Sequence, residues 1–196
     1  MTLNFETPIS EESVQTALVD LLSTCDSARA ALLSRLGAAH LHAGRGGTFV
    51  SAARSVRGGN GESDIVVEWS VDGNGRLRVL IEVKLTAGFM KRQGARYQER
   101  AATIAEGQHG LKVVCVLVAP ASYLASANPE AAKFDHHLPL EFFVENSPTT
   151  SPGIQVIASA LPRIAADKPL GAKGLFPNLH HALHSECERR ALCSTA

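Results

Sequence analysis

The sequence predicts an α/β domain: a mixed central β-sheet flanked by helices, with core elements in the order α-β-β-β-α-β and additions at the C-terminal end. Three observations predict it. Two runs rich in β-branched residues, 64–69 (DIVVEW) and 76–84 (RLRVLIEVK), are joined through Asp72-Gly73-Asn74-Gly75, and such glycines supply the positive φ of a tight hairpin. Residues 111–119 (LKVVCVLVA) form a continuous apolar run, the mark of a central strand covered on both faces. Between them, the turn Thr86-Ala87-Gly88 leads into a helix over about 89–106.

The elements follow in order. Ser10 caps a first helix, with Glu11 and Glu12 in the first turn and Val14, Leu18, Leu21 and Leu22 at helical spacing. Asp26 caps a second helical segment over 27–36, ending at Gly37. His40-Leu41-His42 and the glycines of 44–47 form a loop. No third ligand stands near the two His, and no Gly-Lys-Ser/Thr follows Gly46-Gly47, so neither a zinc nor a phosphate site is read there. The first strand is 48–56, and Arg57-Gly58-Gly59-Asn60-Gly61 is a mobile connection into the second. Pro120 ends the strand at 111–119. Beyond it, 128–134 reads as a short helix, and 140–144 and 154–160 as added strands split by the turn-rich 146–153. The tail is helical from Phe176, with Leu179 and Leu183 at helical spacing. It carries His180, His181, His184 and Cys187, of which His180 and His184 have ligand-compatible spacing and a polar helix face is the plainer reading.

A chain of 196 residues reads as one domain, with a core over about 10–120 and an extension over about 121–196. No apolar run reaches the roughly 18 residues of a membrane span. The N-terminus lacks the basic and apolar regions of a signal peptide, and the four cysteines show no framework spacing, so the expectation is a cytoplasmic protein with reduced thiols. A net charge of +0 argues against a free-standing, tight nucleic-acid binder, because phosphate contacts dominate such affinity. The positive charge is local instead: Lys91, Arg92, Arg96 and Arg100 follow one strand end, and Arg45, Arg54 and Arg57 precede the hairpin.

That strand end carries the chemistry. The hairpin brings Asp64, at the start of one strand, beside Glu82 and Lys84, at the end of the next. Side chains alternate along a strand, so Glu82 and Lys84 share a face, about 7 Å apart, while Val83 points into the core. Paired carboxylates are hard oxygen ligands suited to Mg²⁺ or Mn²⁺, and an ammonium beside them can hold a water near a phosphate. Gln93 and Tyr97, four apart, share one face of the helix that follows.

Asp64, then Glu82-Val83-Lys84, then Gln93-x-x-x-Tyr97 resembles the PD-(D/E)XK nuclease superfamily, the restriction-endonuclease-like fold, and in the last motif its RecB-like branch. The resemblance covers roughly 48–119, and Ser63 stands where many members carry Pro. It implies a metal-dependent nuclease, hydrolysing phosphodiester bonds, by default in DNA, to 5′-phosphate and 3′-hydroxyl products. Asp64, Glu82 and the Val83 carbonyl would hold Mg²⁺ or Mn²⁺, Lys84 would orient the water, and Gln93 would reach that water or a phosphate. Lys91, Arg96, Arg100, Arg57 and Tyr97 are the expected substrate contacts. Glu11 is either the first-helix acid that such nucleases often bring to the site or an acid serving the helix dipole. The implied role is DNA processing or defence against foreign DNA such as phage, with a partner protein or as a homodimer, and with no membrane. The competing expectation is a catalytically weak nucleic-acid-binding or assembly module on the same fold.

Overall fold

Five strands form one open sheet in the computed structural model of the protein, which describes residues 9–41, 47–58, 61–72, 75–126 and 128–166. The strands are β1 (Gly47–Gly58), β2 (Gly61–Val71), β3 (Gly75–Val83), β4 (Leu111–Ala119) and β5 (His136–Pro139), side by side in chain order. β1, β2 and β3 pair antiparallel, as short connections allow, whereas β3–β4 and β4–β5 are parallel. A parallel pair needs a long crossover, and the helix between β3 and β4 supplies it. The helices among the described residues are α1 (Glu11–Thr24), α2 (Asp26–Arg35), α3 (Gln93–Glu106), α4 (Ala121–Leu124), α5 (Leu140–Glu145) and α6 (Pro152–Ala166).

Strand alternation sorts the core into two layers. Ile65, Val67, Trp69, Val79, Ile81, Val83, Val116 and Val118 pack with the apolar faces of α1, α2, α5 and α6. On the opposite face Val66, Leu80, Cys115 and Leu117 pack with Tyr97 and Ala101 of α3 and with Phe134. β4 contributes to both layers, which is why its sequence is apolar without alternation. Ser10 caps α1 as expected, accepting from the Ser13 N–H. Cys25 and Cys115 are free thiols, and no helix among the described residues is long and apolar enough to cross a membrane.

Residues 140–144 and 154–160, expected as strands, are helical instead, in α5 and α6. In α6 the buried positions are Ile154, Ile157, Ala160 and Ile164, a helical spacing that lays one stripe on α1. Gly153 lets the two helices touch: a Cβ there would sit 2.5 Å from the Ala17 carbonyl oxygen. Each Ile in the stripe contributes about 1.5–3 kcal/mol by leaving water, and Ile157→Ala would cost roughly 2–5 kcal/mol. Further boundaries differ. Asp26, expected as the cap of a helix over 27–36, is itself the first residue of α2, whose cap is Cys25 with no side-chain bond. β1–β2 pairing continues to Gly58 and Gly61, so Arg57, Gly58 and Gly61, expected in a mobile connection, belong to paired strands. α3 begins at Gln93 because Arg92 is left-handed, at φ 58°. The segment 128–134 holds only a 3-10 turn at Ala131–Lys133, and the chain then adds β5, which the sequence reading did not contain. The chain divides into two units, Met1–Ala166 and Asp167–Ala196. The second unit, with the tail helix expected from Phe176 and its His180, His181, His184 and Cys187, lies outside the described residues, as do His42, Gly44 and Arg45.

Candidate active site

The register of β2 on β3 pairs Ile65 with Ile81, which sets Asp64 beside the end of β3 that carries Glu82. Asp64 and Glu82 fall on the face covered by α3, because they share the parity of Val66 and Leu80. Asp64 Oδ2 accepts from the Val83 N–H at 2.8 Å, so the carboxylate is tied to the neighbouring strand's backbone. Lys84 donates its own N–H to the Val118 carbonyl at 2.9 Å, which fixes where its side chain leaves the sheet. Its Nζ lies 2.7 Å from Glu82 Oε1. Gln93, the first residue of α3, donates Nε2 to the same Glu82 oxygen. Glu82 is 3% exposed, Gln93 6% and Lys84 7%, so three polar side chains meet in a nearly dry corner.

Two further residues brace the corner. Tyr97 is buried one turn along α3, and its hydroxyl accepts from the Asp64 N–H at 3.2 Å and donates to the Ile81 carbonyl at 3.3 Å. Glu11, at the start of α1, accepts the Leu85 N–H at 2.9 Å through Oε1. Glu11 thus reaches the site from the first helix as well as lying where the helix dipole favours an acid.

The electrostatics follow from crowding. Burial and the neighbouring Glu82 push the Asp64 carboxyl up to about 6, against the opposing pull of the Val83 N–H and Lys84. Burial works to lower the Lys84 pKa, but the hydrogen bond and charge of Glu82, aided by Glu11 and Asp64, outweigh it and raise the value. Lys84 is therefore an ammonium at neutral pH. Burial, then the charges of Glu82 and Asp64, holds the Tyr97 phenol well above its usual range, so it acts as a neutral hydrogen-bonding group.

The expected substrate contacts separate into two groups. Arg100 is buried, donating to the Glu62 carbonyl at 2.8 Å and to Ser63 Oγ at 2.6 Å, with its guanidinium 4.8 Å from the Tyr97 ring centroid. Arg100 and Tyr97 thus hold the start of β2 in place and do not face solvent. Lys91 and Arg57 are exposed, Arg57 pairing with Glu62 at 3.0 Å, and Arg96 is half-buried, donating to the Lys91 carbonyl at 2.8 Å. Arg54 pairs with Glu12 at 2.8 Å on the α1 side, and Arg92 with Glu99.

Two residues near the site went unread in the sequence. Phe89 lies beneath the Lys84 ammonium, 5.9 Å from Nζ to the ring centroid, and Tyr123 of α4 packs against Phe89. The parallel pairing of β3 with β4 brings the residues after both strands to one edge of the sheet, and an isolated Tyr after Pro120 carries no sign of that.

The donors suit a hard divalent cation. Among the described residues no three His, Cys, Asp or Glu side chains gather as a metal cluster; the carboxylates that could hold an ion are those of Asp64 and Glu82, with Glu11 nearby on the Leu85 N–H. Mg²⁺ commonly takes only one or two carboxylates and keeps several waters, so this set is sufficient. Comparison with protein-family models, curated proteins and solved structures finds no match to this chain.

Proposed function

We propose that this chain is a metal-dependent nuclease with a restriction-endonuclease-like core of the PD-(D/E)XK kind, cutting phosphodiester bonds in DNA during DNA processing or defence against foreign DNA. The observation that carries the reading is the meeting of Asp64, Glu82, Lys84 and Gln93 at one end of the β2–β3 pair, with Glu82 bonded to both Lys84 and Gln93. Asp64 and Glu82, with the Val83 carbonyl, would hold Mg²⁺ or Mn²⁺. Such an ion supplies Lewis-acid stabilisation of phosphate charge and lowers the pKa of a bound water. Lys84, kept protonated by its acidic neighbours, cannot take that water's proton. It orients the water and steadies the negative charge that grows on the phosphate. Gln93 fixes the Glu82 carboxylate, and Tyr97 fixes the Asp64 backbone. Lys91 and Arg96 supply phosphate contacts without reading bases.

The test is a cleavage screen over single-stranded, duplex, nicked and branched DNA and RNA with Mg²⁺ and Mn²⁺, beside the Asp64→Ala and Glu82→Ala proteins. Metal-dependent cutting lost in both variants supports the reading, and no cutting of any substrate removes it. A second reading, a binding or assembly module without turnover, has one observation in its favour: Glu82 is almost fully buried and already neutralised by Lys84. DNA binding that survives in a chain taking up no metal at Asp64 and Glu82 would select it.

A further inference from the structure

The segment between β3 and α3 forms a surface tied to the site through Gln93. While Gln93 Nε2 holds Glu82, its Oε1 accepts the Met90 N–H at 3.0 Å, and its own N–H donates to the Met90 carbonyl at 3.0 Å. These bonds close a turn that forces Arg92 to φ 58°, a conformation an arginine adopts only when its surroundings impose it. The turn holds Met90 outward at 62% exposed, with Lys91 exposed beside it.

Aromatic rings flank this turn. Tyr123 and Phe89 are half-buried, their centroids 6.2 Å apart, and the Tyr123 hydroxyl donates to the Ala87 carbonyl at 2.8 Å. The series continues inward from Phe89 to Phe134 at 6.2 Å and from Phe134 to the buried Tyr97 at 5.1 Å. The inner rings are core. The outer two are only half-buried, and the Lys84 ammonium lies over the Phe89 ring, with Lys91 and Arg96 on the adjoining turn. Partly exposed rings beside cations are the pairing that single-stranded nucleic acid uses: the positive charges follow the backbone, and the rings stack on bases regardless of sequence. A base inside a duplex offers no free face to such a surface.

We propose that Tyr123, with Phe89 and Met90, is a stacking surface for an unpaired base of single-stranded DNA, beside the phosphate held at Lys84. The inference rests on the nuclease reading for its choice of ligand, and it makes the substrate a single strand or a frayed end.

The experiment measures binding alone. The full chain is titrated into a dye-labelled DNA strand just long enough to span the site, and into its duplex, with Ca²⁺ and separately with EDTA. Tyr123→Ala weakens single-strand binding by about 5- to 150-fold, the range for losing one stacked base, and leaves duplex binding unchanged. Tyr123→Phe keeps the ring, loses only the bond to Ala87, and retains the affinity. A walk of single abasic sites along the strand then supplies a readout that a structural role would not move. One abasic position weakens the unmodified protein and has no further effect in Tyr123→Ala, because both changes remove the same contact. Met90→Ala, a change at an exposed position, weakens the single strand in the same sense and serves if Tyr123→Ala does not fold. Unchanged single-strand affinity, equal losses on strand and duplex, or additive losses at every abasic position overturns the proposal. A chain that stacks the base but cuts nothing leaves this inference standing and ends the nuclease reading.

Discussion

Replacing Lys84 by Met removes one partner of a buried ion pair and leaves its shape nearly filled. The Glu82 carboxylate is 3% exposed and loses the ammonium 2.7 Å away, keeping the Gln93 amide. Breaking a buried pair from one side costs about 3–5 kcal/mol, and the surviving Gln93 bond places this case near 3 kcal/mol. For a domain of this size that lowers the melting temperature by roughly 6–12 °C in the presence of EDTA. A divalent cation can then take over the role of the missing ammonium. With Mn²⁺ at about 100 times its dissociation constant, binding returns about 2.7 kcal/mol, and the affinity itself rises because a like charge has left the site. The unmodified protein gains less, since the cation must share Glu82 with Lys84. The metal-induced rise in melting temperature is therefore larger in Lys84→Met than in the unmodified chain, while cleavage falls by roughly 10²–10³. Thermal melts in EDTA and Mn²⁺, run beside a cleavage assay, check both. Equal melting in EDTA, an Mn²⁺ shift no larger than in the unmodified protein, or normal cutting by Lys84→Met would refute the reasoning.

Other perturbations separate the remaining roles. Burial and Glu82 push the Asp64 carboxyl up to about 6 from its ordinary 3.8, so its ionised form costs stability above the higher value and the cost fades as pH falls through that window. Asp64→Asn is expected to stabilise the metal-free protein at neutral pH, with a gain that shrinks below pH 6; melts at several pH values check it, and a loss at neutral pH would contradict it. Tyr97→Phe strips a hydroxyl from the Asp64 N–H and the Ile81 carbonyl and should cost about 1–3 kcal/mol in a denaturant titration. Arg100→Ala should destabilise the fold by at least about 1.5–3 kcal/mol through its lost charged hydrogen bonds, whereas Arg96→Ala should leave the melt unchanged and reduce the salt slope of DNA binding by about one. An Arg100→Ala protein with normal stability would return that residue to the substrate.

What the sequence determined by itself was set by near neighbours. Strand alternation places Glu82 and Lys84 on one face and Val83 on the other, and the unbroken apolar run of β4 requires cover on both sides. These choices act within a few residues; the pairing of β2 with β3 then brings Asp64 beside Glu82. Helical spacing put Gln93 beside Tyr97 but did not say that Gln93 seals Glu82 while Tyr97 sits beneath it. Tertiary packing decided the rest. Short apolar runs such as 140–144 do not distinguish strand from helix, and the Ile-rich 154–160 has the residues of a strand at the spacing of a helix. Contact with α1 chose the helix for the second. β5 exists because β4 offers an edge, since His136–Pro139 has little strand preference of its own. Arg100 has the composition of a surface contact, yet it is buried because the start of β2 presents Glu62 and Ser63 to its guanidinium. Glu11 and Tyr123 reach the site from opposite ends of the core, through the packing of α1 and the parallel pairing of β3 with β4. Local sequence fixes which way a side chain leaves its own element; which elements meet depends on burying apolar surface over the whole chain, a sum that no short stretch contains.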